Sequence, residues 1–474
     1  MKRDFLKNRK FTATVKAKNK IIEGIQGELT IPDEDWEDII VTFFPTEEEL
    51  NYLIGEYEIG FTGKPNGDFN LSVNINVIRA FFKETLPFKI TRTQKSYIVK
   101  YIVADLHEEL FSTNNESNNL ISGYYNINEV GLLQCSKLLD AKPSGEIKVT
   151  VDNVYSIKLN DLVELTFNSI YYYDSEFKSN NKLALLTYSK DVAEFTSIPT
   201  FDTVKNELSN VDDLLMLLSF AIRKRCVCTG YLADSGHKLE QFYRRDIYIP
   251  EQKSDHDLYK YLVEPAELRN FITYAYNYFK TFSNKDILRR AIFPICNDSN
   301  IETESYFLIL FSCLESLLLY FKKNERLETI VDAKVFSERK RKIESAIHEI
   351  FSDYSDRISL MNKKILELNR PSFESILLKY IDNYSVEIQD VWPLVNSDKG
   401  LLLLKIRNRL IHGDSFKNYQ LDSLALATAH LKIIVERMIL SQLNYPIEKT
   451  RVSKKNILSY NSNAEVEKHR LILI

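Results

Sequence analysis

The most reactive combination of side chains in this chain lies in one short stretch, KIRNRLIHGD at 405–414. Arg407, Asn408 and His412 follow an apolar run, and Gly413 comes directly after the imidazole. A helix that only filled a core would not need two guanidinium groups and an imidazole within six positions. This stretch is therefore the first candidate for a functional site.

The spacing within the stretch limits how its side chains can meet. Asn408 and His412 are four residues apart and share one face of a helix. Arg407 and His412 are five residues apart, which is about 140° around an unbroken helix. Their side chains converge only if the helix ends at His412 or if a second copy of the stretch faces the first. The spacing therefore predicts a site near a helix end that is completed across a dimer.

An arginine and a histidine suffice for one well-defined reaction. An imidazole titrates near neutral pH and can move a proton to or from a hydroxyl group. A guanidinium binds phosphate with two parallel hydrogen bonds and can stabilise charge that develops on its oxygens. RNA supplies its own nucleophile in the ribose 2′-OH. The pair therefore predicts a metal-free ribonuclease in which His412 is the general base or acid and Arg407 is the phosphate clamp. Its products would carry a 2′,3′-cyclic phosphate and a 5′-OH.

The six residues from Arg407 to His412 read R-N-x-x-x-H and resemble the signature of the HEPN superfamily (higher eukaryotes and prokaryotes nucleotide-binding domains). The preceding leucines and the following Gly413 fit the same pattern. Upstream, the apolar run at 306–321 is similar to the first long helix of the ApeA-like HEPN branch, where a glutamate sits at the place of Glu315. The β-rich N-terminal region is also similar in layout to that of ApeA-like anti-phage proteins.

This resemblance implies a metal-independent endoribonuclease that needs no cofactor, acts as a homodimer through its HEPN domain and halts the growth of infected bacteria. Its substrate would be RNA, commonly tRNA, and a phage-derived trigger would activate it. By the same matching, Arg407 and His412 would be the catalytic pair, and Asn408 the polar position after the arginine. Glu315 would be the carboxylate that orients Arg407 or His412 in the site.

Each of these residues also has a purely structural interpretation. Arg407 and His412 could be a structural arginine and a helix-capping histidine. Glu315 could form an ion pair that only holds two helices together, because a carboxylate in an apolar helix needs a partner. Lys405 and Arg409 could grip neighbouring phosphates or could form the solvated face of their helix.

Two alternatives for the whole protein remain open at this stage. A degenerate HEPN domain would hold RNA or a partner protein without cutting. A toxin of a toxin–antitoxin pair would be held by a nucleotidyltransferase neighbour, although such toxins are usually compact single domains.

The composition narrows the classes of function. With 62 Lys+Arg against 66 Asp+Glu, the formal net charge is −4, which excludes a protein that coats nucleic acid by bulk charge but leaves room for a local basic site. The five cysteines form no paired CxxC set, so we expect neither a zinc site nor a disulfide framework. The run at 306–321 is shorter than the roughly 20 residues of a membrane span and contains Glu315. We therefore expect a cytoplasmic protein without a membrane partner.

The pattern of apolar residues changes along the chain. Stretches such as 11–17 and 71–77 alternate apolar and polar residues, which is typical of half-buried strands, and GKPNGD at 63–68 has the chemistry of a hairpin turn. After residue 200 the apolar residues recur with helical spacing and predict helices, for example at 203–225, 258–279, 400–412 and 421–443. The sequence predicts an α+β protein, with a β-sandwich-like or partly closed barrel domain followed by an all-α HEPN bundle.

The predicted division has four parts. Residues 1–200 form the β-rich domain, a candidate sensor, and 201–300 form a connecting helical region with a short β insertion. Residues 301–445 form the HEPN catalytic core, and 446–474 form a C-terminal tail.

Overall fold

The structure is a computed structural model of the whole chain. The residues that it describes are 8–17, 20–31, 38–53, 56–65, 71–90, 95–112, 122–127, 136–141, 147–152, 155–178, 182–196, 198–235, 238–244, 261–296, 301–395, 400–460 and 463–474. The chain divides into two compact units. The β-rich unit comprises Met1–Leu218 and Arg225–Lys253, and the helical unit comprises Ser219–Lys224 and Ser254–Ile474.

The β-rich unit contains strands with three short or medium helices between them. Its strands are β1 (Asn8–Ala17), β2 (Lys20–Thr30), β3 (Ile39–Phe43), β4 (Glu58–Pro65), β5 (Leu71–Ile90), β6 (Lys95–Ser112), β7 (Ser122–Ile127), β8 (Ser136–Ala141), β9 (Ile147–Asp152), β10 (Ser156–Lys158), β11 (Glu164–Lys178), β12 (Lys182–Phe195), β13 (Cys228–Asp234) and β14 (Lys238–Arg244). Its helices are α1 (Glu47–Leu53), α2 (Phe201–Asn206) and α3 (Leu208–Ile222), of which the last turn of α3 is counted with the helical unit.

Six of these strands close into a barrel. Their order around it is β1, β2, β3, β6, β5 and β4, and β4 pairs again with β1, always antiparallel. Closure depends on the long β5–β6 pair, whose register shifts at several points between Val77 and Lys89, because bulges bend and twist strands. The predicted α+β class is confirmed. The β-sandwich-like layout is replaced by a closed barrel, since the bulged hairpin returns β6 to β3 and β5 to β4.

The sheet continues beyond the barrel through the same long strand. β6 pairs with β3 along 99–103 and with β14 along 105–111. From β14 the sheet runs on through β13, β7, β12, β11 and β10, while β8 and β9 form a separate pair. The β13–β14 hairpin, predicted as an insertion in a connecting region, is thus part of the β-rich unit. Of the predicted turn at 63–68, residues 63–65 form the end of β4, and 66–68 lie outside the described residues.

The barrel core is organised around the ring of Phe11. That ring stacks on Phe61 at 5.4 Å between centroids and meets Phe43 edge-on at 6.1 Å, arrangements that aromatic rings favour. A Cβ atom at Gly27 or at Gly63 would lie 2.7 Å from the Phe11 ring. Glycine at both neighbouring strands therefore provides the space that the ring fills.

The helical unit follows from residue 261 in the described part of the chain. Its helices are α4 (Leu268–Lys280), α5 (Lys285–Ile295), α6 (Thr303–Asn324), α7 (Ala333–Ile350), α8 (Ser355–Lys364), α9 (Phe373–Tyr384), α10 (Leu403–Ile411), α11 (Leu421–Gln442), α12 (Lys454–Tyr460) and α13 (Asn463–Ile472). Short 3-10 turns lie at Pro265–Glu267, Ser352–Tyr354, Ile365–Asn369, Asn418–Gln420 and Ile447–Lys449.

The centre of this unit is formed by α6 and α11. α6 packs against α5, α9, α10 and α11, and its apolar side chains are largely buried, as for Phe307, Leu310 and Leu314. Among the described helices, α6 alone has the length and composition that crossing a membrane would require, and 56% of its apolar window is buried in the protein. The long apolar run of the sequence is thus the core helix against which α10 packs.

Two predicted helices begin later than their apolar patterns do. The helix predicted over 258–279 has its first described helical turn at Pro265, because Glu264 before the proline is extended; residues 258–260 lie outside the described residues. The helix predicted from Gly400 begins at Leu403. Leu401 stays outside it, because its backbone is bonded to Trp392 and Arg470 instead.

Candidate functional site

α10 carries the predicted motif and ends at the residue where the sequence places its stop. His412 is the C-cap residue. The Gly413 amide donates to the Leu410 carbonyl at 3.1 Å, and the Asp414 amide donates to the Arg409 carbonyl at 3.0 Å, which together form a Schellman motif. Gly413 has a φ of +86°, which a residue with a Cβ adopts only with strain. Gly413 therefore fixes how the chain leaves the helix at His412.

Arg407 is paired across the α10–α6 contact. Its Nη2 donates to Glu315 Oε1 at 2.9 Å and its Nη1 donates to Asn408 Oδ1 at 3.2 Å. The guanidinium also lies over the Phe311 ring, 5.8 Å from the centroid. The Arg407 and Glu315 side chains are 29% and 39% exposed. An arginine has five N–H donors, so the guanidinium can accept a further anionic partner from solvent without losing Glu315.

His412 lies at the exposed end of the same helix. Its backbone amide donates to the Asn408 and Arg409 carbonyls, both at 3.1 Å. Within the described part of the chain, no hydrogen bond or ion pair reaches its ring, and no hydrogen bond joins the ring to Arg407. Within one chain, Arg407, Asn408 and Glu315 therefore form one hydrogen-bonded group. The His412 imidazole is exposed and is not part of that group.

Lys405 and Arg409, the basic residues on either side of Arg407, differ in their contacts with the rest of the protein. Lys405 is exposed, and no partner for it is found among the described residues. Arg409 Nη1 donates to the Leu473 carbonyl at 2.7 Å, its Nε lies 3.6 Å from Asp414 Oδ2, and its guanidinium lies over the Phe416 ring at 4.7 Å. Arg409 is engaged within the protein, whereas the Lys405 ammonium is open to solvent.

The first turn of α10 is bonded to the backbone of the preceding segment, at Pro393 and Leu394. Leu402, the N-cap residue, makes no side-chain capping bond. Instead, the Leu403 amide donates to the Pro393 carbonyl at 3.1 Å and the Leu404 amide donates to the Leu394 carbonyl at 3.4 Å. These bonds satisfy helix N–H groups that otherwise have no intrahelical partner. Because the partners are backbone atoms, no capping signature in the sequence could reveal them.

The C-terminal residues hold both ends of α10. At its start, the Leu401 amide donates to the Arg470 carbonyl at 3.3 Å, and a Cβ at Gly400 would lie 2.8 Å from Arg470 Cβ. At its end, Leu473 accepts the bond from Arg409. Arg470 is only 1% exposed. The predicted tail at 446–474 therefore contains helices α12 and α13, and α13 supports the motif helix.

The loop after the motif is fixed from the N-terminal turn of α6. Glu304 Oε1 accepts a hydrogen bond from the Phe416 amide at 3.1 Å, and Phe416 is buried. α6 thus contacts the motif region through two carboxylates, those of Glu304 and Glu315. Only Glu315 was identified from the sequence, because Glu304 lies before the apolar run that drew attention to this helix.

A second histidine of this unit has a different environment. His430 on α11 is fully buried, its Nδ1 accepts a hydrogen bond from the Trp392 amide at 3.2 Å, and burial lowers its pKa to about 4. It therefore stays neutral at neutral pH and acts as an acceptor that fixes the segment before α10. His412, by contrast, is exposed at the end of α10.

The described residues contain no group of three or more His, Cys, Asp or Glu side chains placed to hold a metal ion. No protein-family model, curated protein or solved structure gave a significant match to this chain. The assignment of a function therefore depends on the geometry of this site and on its chemistry.

Proposed function

We propose that this protein is a metal-independent endoribonuclease of the HEPN type that acts in anti-phage defence by cleaving tRNA or other cellular RNA. The proposal depends on one observation above others. Arg407 is held by Glu315 next to a helix end that carries an exposed histidine, His412. That combination offers a cation for phosphate and a proton carrier for ribose at one helix terminus.

The reaction follows from these groups and from RNA itself. A neutral His412 imidazole takes the proton of the ribose 2′-OH, and the 2′-oxygen forms a bond to phosphorus. The bond from phosphorus to the 5′-oxygen breaks, and a second imidazole, in its protonated form, gives the leaving oxygen its proton. Arg407 holds the negative charge of the phosphoryl oxygens during this exchange. The products are a 2′,3′-cyclic phosphate and a 5′-OH, and the two imidazoles have exchanged one proton with the RNA.

A homodimer would supply the second imidazole. Each chain has one His412, and the spacing separates it from Arg407 by about 140° around the helix. Two apolar side chains flank the site, each four residues after one member of the ion pair: Leu319 after Glu315 and Ile411 after Arg407, both 52% exposed. Exposed apolar residues beside a charged site are suited to coverage by another protein surface, which supports a second copy of the helical unit there.

The deciding experiment is cleavage of RNA by purified variants. We expect His412→Ala and Arg407→Ala each to abolish cleavage and to abolish any growth arrest on induced expression, because each removes a group that touches the reacting atoms. Both side chains are partly or fully exposed, so the circular dichroism spectrum and the melting temperature should stay close to wild type. RNA ends mapped after cleavage should carry the cyclic phosphate.

The matched control is His348→Ala, which removes another exposed imidazole from the same unit and should leave cleavage unchanged. Chelation with EDTA should also leave cleavage unchanged, because the 2′-OH is the nucleophile and the protein supplies the charges. Wild-type cleavage rates for His412→Ala, or loss of activity on chelation, would contradict the proposal.

A binding module that holds RNA or a protein without cutting is the second candidate. The exposed Lys405 ammonium on α10 favours it, because a cation that is open to solvent can bind an RNA phosphate without any proton transfer. Growth arrest that persists in His412→Ala, together with RNA binding that is lost in Lys405→Ala, would support this candidate over the nuclease.

A further inference from the structure

α7 and the residues after it form an ordered helical hairpin with an uncovered face. The base of this hairpin is closed by Asn369, which is 6% exposed; its amide donates to the Val331 carbonyl at 2.9 Å and its Oδ1 accepts from the Val331 amide at 2.7 Å. Yet none of the residues of α7 is buried. α7 packs on one side against α8 and the turn at Ile365–Asn369. Its opposite side is exposed to solvent and is suited to contact with another molecule.

One row of exposed side chains along α7 has a regular order of charge. Val335, Arg339, Lys342, Ala346 and Glu349 follow each other at spacings of four, three, four and three residues, which places them in one row on a helix. Asp353, exposed in the turn after α7, is four residues further on. The row therefore changes from basic to acidic, with the small residue Ala346 between the two halves. We call these six residues the α7 stripe.

The charged members of the α7 stripe have no ion pair within the described part of the chain. The ion pairs found on α7 and α8 join other residues: Lys340 with Glu344, Arg357 with Asp356, and Lys364 with Glu367. The stripe is antisymmetric about Ala346. If two copies of α7 cross antiparallel at Ala346, the basic half of each faces the acidic half of the other.

The register of such a crossing fits the charged residues individually. With Ala346 opposite Ala346, Lys342 comes opposite Glu349, and Arg339 points towards the end of the other α7 where the following turn carries Asp353. A two-fold axis repeats both approaches. A partner whose charges all have one sign, such as an RNA strand or an acidic peptide, would be complementary to only half of the stripe. Self-complementarity therefore selects a second copy of this chain as the occupant.

Apolar surface lies beside the stripe. Ile350 is 72% exposed, Leu360 64% and Leu368 62%. Leu360 and Leu368 also line an open groove of about 430 Å³, together with Ile347, Phe351, Met361, Lys364 and Ile365. Projecting apolar side chains beside a groove can each enter the groove of a two-fold partner, and their burial supplies the main free energy of association.

We propose that the α7 stripe and its groove form a two-fold contact through which two copies of this chain associate. The contact goes beyond the proposed ribonuclease and requires no cleavage chemistry, because no stripe residue lies on α6 or α10. Its tests are therefore read without RNA. Loss of this contact alone, with the dimer proposed at the end of α10 still formed, would leave the nuclease proposal standing.

Charge reversal with mixing tests the pairing directly. One variant carries Arg339→Glu and Lys342→Glu, and the other carries Glu349→Lys and Asp353→Lys. We expect each variant alone to associate at least about tenfold more weakly than wild type, because like charges then face each other. An equimolar mixture should restore association between the two variants, as measured by analytical ultracentrifugation and by capture with two different tags.

A disulfide tests the register. We expect Ala346→Cys to form a covalent dimer on mild oxidation, since the two-fold axis brings this position next to itself. His348→Cys is the matched control, because it is exposed on the same helix about 200° further round, and it should not cross-link above the wild-type background. The described native cysteines are buried.

Several outcomes would overturn the contact. They are charge-reversed variants that keep the wild-type mass, a mixture that does not restore association, and equal cross-linking of the two cysteine variants. A wild-type chain that stays monomeric at high concentration would overturn both this contact and the dimer proposed at the end of α10. Because all substituted residues are exposed, an unchanged melting temperature should accompany each variant.

Discussion

At the scale of single residues, the Arg407–Glu315 pair is an ion pair between α10 and α6 with a small desolvation cost. Both side chains keep partial contact with water, at 29% and 39% exposed, so neither bears the full penalty of burying a charge. An exposed ion pair of this kind contributes at most about 1 kcal/mol to stability. Its value to the protein is therefore expected in the orientation of the guanidinium rather than in folding.

Glu315 substitutions separate these two roles. In Glu315→Ala the Arg407 side chain loses its fixed orientation, and we expect kcat for RNA cleavage to fall about 100-fold. In Glu315→Gln the Oε1 acceptor remains and the loss should be smaller. The free energy of unfolding, measured by urea titration, should change by about 1 kcal/mol or less in both variants.

Asp390→Ala is the contrasting control. Asp390 pairs with Arg437 through two 2.6 Å bonds, and both side chains are almost completely buried. Removal of the carboxylate should destabilise the protein by about 3–5 kcal/mol. If Glu315→Ala instead lowered stability and left kcat unchanged, the pair would be a purely structural link between two helices.

At the scale of elements, α10 is a nine-residue helix that its neighbours define. Its first amides are bonded to the Pro393 and Leu394 carbonyls, its side chain Arg409 is bonded to Leu473, and its end is set by Gly413. Isolated helices of this length are marginal in water. The position of His412 is therefore a property of the surrounding chain as much as of the motif.

Gly413→Ala tests how closely the helix end sets the site. No atom lies within 4 Å of the added Cβ, so the substitution acts through the φ of +86° alone. We expect it to destabilise the protein by about 1 kcal/mol and to lower the cleavage rate about tenfold or more, because His412 is displaced.

Gly24→Ala is the matched control for that substitution. Gly24 has a φ of +82° and equally open space around its Cβ, but it lies in β2 of the β-rich unit. It should reproduce the loss of stability while leaving cleavage at the wild-type rate. Equal losses of activity in the two variants would mean that the lower cleavage rate follows from lower stability and not from a change at the end of α10.

At the scale of the whole molecule, each unit buries at least one acidic or basic side chain whose pKa departs from its ordinary value. In the helical unit, burial lowers the pKa of His430 to about 4. In the β-rich unit, burial raises the pKa of Glu108 to about 7, although Arg9 Nη1 donates to its Oε1 at 2.9 Å. Glu108 Oε2 and Arg9 Nη2 have no partner among the described residues, so the neighbouring charge offsets only part of the desolvation.

The two groups give opposite dependences of stability on pH. Between about pH 6.5 and 4 the unfolded chain protonates His430 and the folded chain does not, so acidification should remove up to about 3 kcal/mol. For Glu108 the folded chain retains its proton up to about pH 7. Its contribution, of similar size, is therefore present below about pH 4.5 and is lost as the pH rises towards 7.

Chemical denaturation across pH 4–7 measures both contributions. His430→Gln should flatten the loss of stability on the acid side, and Glu108→Gln should flatten the loss as the pH rises. The unfolding of each unit can be followed separately by hydrogen exchange. A pH profile that neither substitution changes would show that both groups titrate normally in the folded protein.

The sequence by itself determined the class of each region and the residues of the candidate site. Alternation with period two identified β1 and the first part of β5, helical spacing identified α6 and α11, and Gly413 marked the helix end, because these signals depend on local side-chain pattern and backbone freedom. For Glu315, 92 residues from Arg407, the apolar helix predicted a partner because a carboxylate there needs one. The choice of Arg407 or His412 as that partner came from the resemblance.

Only the tertiary structure decided the closed barrel, the membership of β13 and β14 in the β-rich unit and the support of α10 by α13. Barrel closure depends on bulges in β5 and β6, and the start of α10 depends on backbone carbonyls of Pro393 and Leu394. Such bonds are made by atoms that every residue carries. A sequence pattern indicates which side chains are buried. It does not indicate which backbone groups form hydrogen bonds when those side chains pack.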